Sequence, residues 1–166
     1  MIAIQIRPFE PQDIEPYHRI HSHPAVVSEL LDPPMLSLAE RREQVAPSSA
    51  ERYLVAVRAG EMIGTGRLRL FGGRRSHVGD VSLAVHPDHW GRGAGATLLE
   101  ALIELGEQWY GLRRFEAKVF ADNQRAIALC ERFGFEVEAT LQDYALKAGE
   151  LVTALALARL KDGGGQ

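Results

Sequence analysis

The stretch Asp80–Leu99, DVSLAVHPDHWGRGAGATLL, constrains the fold of this chain more than any other. A strand-like run ending at Val85 meets a polar turn, then Gly91-Arg92-Gly93-Ala94-Gly95, then the start of a helix. Alternating glycines let a backbone take positive φ and come close to a ligand, because no Cβ is in the way. The helix that follows turns its unpaired N–H groups and the positive end of its dipole toward that loop. The pattern therefore predicts a strand–loop–helix unit with an anion site at the turn, suited to a phosphate or pyrophosphate. A dinucleotide fingerprint needs GxGxxG near the start of a βαβ unit, whereas this GxGxG begins at residue 91, after what reads as antiparallel strands. A P-loop needs GxxxxGK followed by Ser or Thr, which the chain lacks.

The flanking sequence supplies a mixed α/β frame. Ile2, Ile4 and Ile6 alternate with Ala3, Gln5 and Arg7 and predict a first strand, broken by Pro8 and Pro11. Gln12–His21 reads as a short helix, Pro24–Leu31 as a second stopped by Asp32-Pro33-Pro34, and Ser37–Val45 as a third. Tyr53–Val57 and Met62–Phe71 form a hairpin about Ala59-Gly60-Glu61, and Ser76–His86 is the strand that enters the glycine loop. Leu98, Leu102, Leu105 and Trp109 mark the helix after the loop. Arg114–Phe120 follows as a strand, then a helix capped by Asp122 or Asn123 and closed by Gly134, with Phe135 folding back beside Cys130. Strands at Phe135–Leu141 and Leu151–Leu160 flank a turn at Lys147–Glu150. The order is β-α-α-β-β-β-α-β-α-β-β, a single domain over residues 1–160 with a frayed, flexible tail at 161–166.

Composition narrows the function classes. At 166 residues, 46% hydrophobic and 25% charged, the chain is long enough for one well-buried core. A net charge of −3 with scattered arginines offers no nucleic-acid or anionic-membrane surface. One cysteine excludes an internal disulfide and fits a reducing cytoplasm. The N-terminus lacks the apolar core of a signal peptide, and no apolar run approaches a membrane span of roughly 20 residues. His18, His21 and His23 lie close in sequence, but with no cysteine nearby, no acidic ligand at a usual spacing and Pro24 interrupting the helix, no metal site is expected.

Two segments resemble the Gcn5-related N-acetyltransferase (GNAT) family. Trp90-Gly91-Arg92-Gly93-Ala94-Gly95 matches its acetyl-CoA motif Q/R-x-x-G-x-G/A, with Trp90 where the family has Gln or Arg. Asp122–Phe135, DNQRAIALCERFGF, matches N-x-x-A-x-x-L-Y-x-x-x-G-F, with Cys130 at the tyrosine position. The resemblance implies a mostly antiparallel mixed sheet of about seven strands flanked by helices, and acetyl-CoA as donor. It assigns cofactor binding to the backbone of Leu83 and Val85, to Gly91, Arg92, Gly93, Ala94, Gly95 and Ala96, and to Asn123. Asn123 reads equally as a helix N-cap.

For the chemistry, the resemblance points to His77 and Asp80 as candidate bases. Strand alternation sets them on opposite faces unless a bulge intervenes. Cys130 takes the place of the acid that protonates departing coenzyme A; the plainer reading is a small buried hydrophobe, with Tyr144 or water as the proton source. The acceptor is a small-molecule amine. Among relatives the chain is most similar to the bacterial L-amino-acid N-acetyltransferase branch, through Arg74–Val78, Ile20–Pro24, Tyr144–Leu146 and Ala148–Glu150. A free amino acid needs a cation for its carboxylate, and Arg67, Arg69, Arg74 and Arg75 are available. His21 is placed in the acceptor pocket. Alternatives are a protein N-terminus, a polyamine (Glu29, Asp32 and Asp80 being the only acidic lining), an antibiotic amine, or a module that binds acyl-CoA without transferring. Homodimerisation follows from the resemblance alone.

Overall fold

The computed structural model describes residues 2–162; the expected tail lies largely outside them. Seven strands form one sheet: β1 (Gln5–Pro8), β2 (Glu51–Arg58), β3 (Glu61–Leu70), β4 (Val78–Val85), β5 (Arg114–Phe120), β6 (Glu136–Lys147) and β7 (Glu150–Leu160). Their order is β1-β2-β3-β4-β5-β7-β6, antiparallel throughout except for the β4–β5 pair. Five helices complete the chain: α1 (Ile14–His21), α2 (Pro24–Val27), α3 (Leu38–Gln44), α4 (Ala94–Trp109) and α5 (Gln124–Arg132).

Alternation along the strands gives each sheet face its own cover. Leu68, Val81, Phe115, Ala117 and Leu157 turn to α4 and bury Leu99, Leu102 and Ile103. Gly64 and Gly66 bring β3 close to that helix, since a Cβ at either would stand 3.1 Å from a leucine of α4. On the other face, Val55, Met62 and Ala84 pack under Ile14, Tyr17, Ile20 and Val26 from the α1–α2 region. The first face is apolar. The second also carries Thr65, Arg67 and Asp80 on the same strands, and it holds the polar groups of the site.

The predicted elements are recovered with shifted bounds: β1 runs Gln5–Pro8, keeping Pro8 on the edge strand opposite Leu54, and three helices precede β2 where the expected order has two. Three further differences have visible causes. α2 stops at Val27 instead of Leu31, because the Ser28 hydroxyl bonds back to the Ala25 carbonyl and the chain leaves the helix in tight turns. β4 begins at Val78, two residues later than expected: Ser76 N–H closes a 3-10 turn on Gly73, and the His77 carbonyl accepts the N–H groups of Arg113 and Arg114. β6 continues beyond Leu141 to Lys147 through a register shift, with Asp143 at φ +49°. No helix among the described residues is long and apolar enough to cross a membrane.

Gly106 shows how tightly α4 sits. A Cβ there would lie 2.7 Å from the Phe115 ring and 2.8 Å from Leu112, both fully buried. Gly106→Ala is expected to destabilise the fold by about 1–3 kcal/mol through overpacking, despite alanine's better helix propensity. Urea unfolding checks this through a lowered midpoint at unchanged slope.

Candidate active site

The one parallel contact of the sheet is brief. β4 and β5 pair only over Val78–Asp80 with Arg114–Glu116, then diverge. In β4, Val78 and His86 bond to the β3 side, through Phe71 N–H to the Val78 carbonyl and His86 N–H to the Ile63 carbonyl. By alternation Val81, Leu83 and Val85 turn their N–H and C=O groups away from β3; the Val81 N–H makes the last bond to β5, at the Glu116 carbonyl, and Leu83 and Val85 face the gap. Ala121 bonds to Thr153 and the Arg113 carbonyl to Lys161, so Lys118 and Phe120 present their backbone to the gap from the other side. A cleft of about 630 Å³ opens there, bounded by β4, β5, the glycine loop and α5.

The loop meets the geometric demand of its glycines. Gly91 (φ +69°) and Gly93 (φ +90°) lie in the left-handed region, and a Cβ on either would point into open space. Gly93 caps α4 without a side-chain bond, which leaves the first-turn N–H groups of Ala94, Gly95 and Ala96 without intrahelical partners. Gly95 is small for another reason, since a Cβ would stand 3.2 Å from Leu129 of α5. The loop, the α4 N-terminus and the divergent strands thus form one run of free backbone donors. That is the chemistry an acyl-coenzyme A requires: an anion cradle for its pyrophosphate and strand-like partners for its amide arm.

Trp90 is built into this arrangement. Its indole N–H donates to the Val85 carbonyl at 2.8 Å, leaving only the N–H of that residue for the gap. The Arg125 guanidinium stacks 3.4 Å above the Trp90 ring and pairs with both Glu29 oxygens at 2.7 Å. Glu29 follows α2, so this bridge crosses from the helical cover to the cofactor loop.

The polar wall of the cleft comes from the second sheet face. Asp80, the last β4 residue still paired with β5, carries Arg67 Nη2 3.4 Å from one carboxylate oxygen and Lys118 Nζ 3.7 Å from the other. Burial raises its pKa above the ordinary carboxylate value, against the pull of Lys118 and Arg67. Tyr17, His21, Asp32, Tyr53 and Thr65 line the same cleft further in.

Of the catalytic and cofactor-binding residues expected from the sequence, Leu83, Val85, Gly91, Gly93–Ala96, Asn123, Asp80, Cys130 and Tyr144 all line the cleft. Two do not. His77 is exposed in the turn before β4, pointing its backbone at β5, and its expected role as a base is corrected on that ground. The Arg92 side chain is likewise exposed and outside the cleft, with its carbonyl held by Arg58; only its backbone remains near the loop. Asn123 does cap α5, accepting the Ala126 N–H at 3.1 Å, while lining the cleft. Cys130 belongs to the α4-side core and touches the cleft; burial pushes its thiol up to about 11, so it stays protonated at neutral pH. His18, His21 and His23 do not converge; His23 packs edge-on to His86 and His21 stacks on Tyr17. Sequence reasoning missed Thr65, Lys118 and Arg125. Thr65-Gly-Arg67, alternating polar side chains with a glycine inside a strand, was the available signal.

Fold and cleft together define a class, enzymes that hold an acyl-coenzyme A between two splayed strands and a glycine loop. The family model described as "Acetyltransferase (GNAT) family" matches residues 16–135, and the chain belongs to that family. It is an acyl-CoA-dependent N-acetyltransferase with acetyl-CoA as donor. The chain is 35% identical over 162 residues to the L-amino acid N-acetyltransferase AaaT of Escherichia coli K12, covering 97% of this chain and 100% of that one. Its fold matches a spermidine N-acetyltransferase from Vibrio cholerae solved with CoA and spermine, at TM-score 0.86 and 21% identity, over 95% of both chains. It also matches yncA of Salmonella typhimurium, solved with its cofactor acetyl-CoA, at TM-score 0.77 and 22% identity over 98% and 97% of the chains.

The polar wall of the cleft rests on a charge pair with a pH signature. Arg41, 1% exposed, donates to Asp32 at 3.0 Å, and Gln44 donates to the same oxygen at 3.1 Å. The neighbouring His21 ring, then Gln44 and Arg41, hold the Asp32 carboxyl well below its ordinary pKa. A carboxylate whose folded pKa is depressed stabilises the fold above its unfolded pKa of about 3.9 and loses that contribution as pH falls toward the folded value. Asp32→Asn is therefore expected to cost on the order of 2 kcal/mol near pH 7, less than a fully buried pair because Asp32 is partly exposed. Urea titrations of both proteins across pH should show a constant gap above about pH 5 that narrows below about pH 4.

Proposed function

We propose that this enzyme transfers the acetyl group of acetyl-CoA directly to the α-amine of a free L-amino acid. The observation that carries this reading is the state of Arg67. Of the four arginines considered for a substrate carboxylate, it is the one that lines the cleft. Its buried Nε has no partner among the described residues, and its contacts to Asp80 and Glu51 are long, 3.4 and 3.8 Å. A guanidinium has five donors, so Arg67 retains capacity for a carboxylate. Arg69 pairs with Glu51 from a half-exposed position, Arg75 with Glu116, and Arg74 is exposed. The full-length similarity to an L-amino acid N-acetyltransferase supports the same reading.

Each group then has a task. The loop amides from Gly91 to Ala96 hold the pyrophosphate, and Leu83 N–H polarises the acetyl carbonyl, as fixed donors do in acyl transfer generally. Asp80, made more basic by burial, takes a proton from the incoming ammonium, directly or through water. The free amine attacks the acetyl carbon; as the C–S bond breaks, the nitrogen gives up a second proton to solvent, and Cys130 or Tyr144, reprotonated from solvent, returns one to the departing thiolate. The polyamine alternative finds less support, because every acidic group available to it is engaged: Glu29 by Arg125, Asp32 by Arg41, Asp80 by Arg67 and Lys118.

Thiol release from acetyl-CoA is measured against free L-amino acids, spermidine and short peptides. Turnover is expected with one or more free amino acids, and Arg67→Met should raise their KM about tenfold or more while leaving the acetyl-CoA KM in place. Turnover confined to amines without a carboxylate would overturn the reading. Gly93→Asp, which sets a carboxylate against the anion cradle, is expected to abolish acetyl-CoA binding by calorimetry; retained affinity would move the cofactor elsewhere.

A further inference from the structure

The most deeply buried polar groups of the acceptor wall are not those that read as catalytic in the sequence. His21, the last residue of α1, is 7% exposed and lines the cleft. Its ring stacks on Tyr17, one turn earlier, with centroids 4.0 Å apart and planes 17° apart. Nε2 lies 2.8 Å from Thr65 Oγ1. Nδ1 lies 3.6 Å from Asp32 Oδ2 and has no hydrogen-bond partner among the described residues. Arg41 fastens both ends, donating through Nη1 to Asp32 and through Nη2 to the His21 carbonyl at 3.1 Å.

These contacts fix the direction of the hydrogen bond. Burial keeps the His21 imidazole neutral near pH 7, so the ring carries a single N–H. The Asp32 carboxylate draws that proton to Nδ1. Nε2 is then an acceptor, and the Thr65 hydroxyl donates to it. With its one proton committed, Thr65 Oγ1 offers the cleft lone pairs only.

The position of Thr65 gives those lone pairs a use. Leu83, whose N–H is assigned above to the acetyl carbonyl, stands opposite Gly66, and Gly66 lies between Thr65 and Arg67. Thr65 and Arg67 share a face, about 7 Å apart along the strand. An α-amino acid spans that gap when its carboxylate bonds to Arg67 and its amine to Thr65. We propose that the Asp32–His21 pair holds the Thr65 hydroxyl as the hydrogen-bond acceptor for the attacking amine. Thr65 touches the substrate, and His21 is a positioning residue. Once Asp80 has taken one ammonium proton, an N–H to Thr65 orients the nitrogen lone pair toward the carbonyl carbon. The inference rests on the amino-acid reading for the identity of the amine; the direction of the Thr65–His21 bond does not.

The full chain is tested as wild type, Thr65→Val and Thr65→Ser, with the L-amino acid that turns over best. If only a carboxylate-free amine turns over, the amino-acid reading falls and the same variants are measured with that amine. Thr65→Val is expected to lower kcat/KM for the amine about tenfold or more, with acetyl-CoA affinity by calorimetry unchanged within about twofold. Thr65→Ser should recover activity to within about threefold of wild type, because it keeps the hydroxyl. Nitrogen NMR of the His21 ring, which needs no turnover, should show the proton on Nδ1, with the Nε2 resonance moved in Thr65→Val. A proton on Nε2, unchanged kcat/KM in Thr65→Val, or a loss falling on acetyl-CoA affinity would each overturn the proposal. The last outcome would assign the hydroxyl to a pantetheine amide.

Discussion

Everything in this enzyme depends on a hydrogen-bonded pairing that stops early. β4 and β5 are joined over three residues and then part, so backbone groups that a continuous sheet would consume face a cleft instead. Buried backbone donors and acceptors are costly when unpaired. The divergence is tolerated because each strand is secured on its far side, β4 by β3 over seven register pairs and β5 by β7 over another seven. The rigidity of those flanking ladders makes the gap a fixed feature able to receive a strand-like ligand. The glycine loop extends the same principle past the strand end, where Gly91 and Gly93 take φ values that give the backbone a concave, donor-rich turn.

The two faces of the sheet divide the labour. The α4 face is apolar and closely packed, and it sets the position of the loop through the contact of Gly95 with Leu129 and of Gly64 and Gly66 with α4. The α1–α3 face carries charge at high density: Glu51, Arg67, Asp80, Glu116 and Lys118 form one connected network at the crotch of the strands. Deeper in, Arg41, Asp32 and His21 make a second. Burying an arginine almost completely is unfavourable unless its donors are met; Arg41 meets those of its two terminal nitrogens with Asp32, Gln44 and the His21 carbonyl, while its Nε has no partner among the described residues. That network fastens α1, the Asp32 loop and α3 to one another and so shapes the inner end of the cleft.

How much of this was legible in the sequence depended on the range of the interaction. The glycine loop, the helix after it and the Gly134 turn are local signals, and the structure reproduces them, down to Phe135 N–H bonding back to the Cys130 carbonyl at 3.0 Å. A mixed, mostly antiparallel sheet of about seven strands followed from the resemblance to the acetyltransferases carried by two motifs; the order of the strands within the sheet did not. What failed was decided at a distance. His77 read as a strand residue because Ser76–His86 has a strand-like composition, yet the approach of Arg113 and Arg114 ends the strand at Val78. α2 read longer because its residues through Leu31 suit a helix, whereas the chain leaves it at Ser28, whose hydroxyl bonds to the Ala25 carbonyl, and Glu29 is drawn to Arg125, 96 residues away. The Thr65–His21 contact joins residues 44 apart, and no spacing rule for a strand or a helix connects them.

The donor is proposed to bind along the free backbone of β4, and amide hydrogen exchange reads that backbone residue by residue. Exchange at Leu83 and Val85 is compared in the full chain with and without saturating acetyl-CoA. Those amides should exchange rapidly in the free protein and become protected on binding, while Ser82 and Ala84, bonded to β3, stay protected in both states. Uniform protection of β4 before any ligand is added, or binding that leaves Leu83 and Val85 unprotected, would place the donor elsewhere.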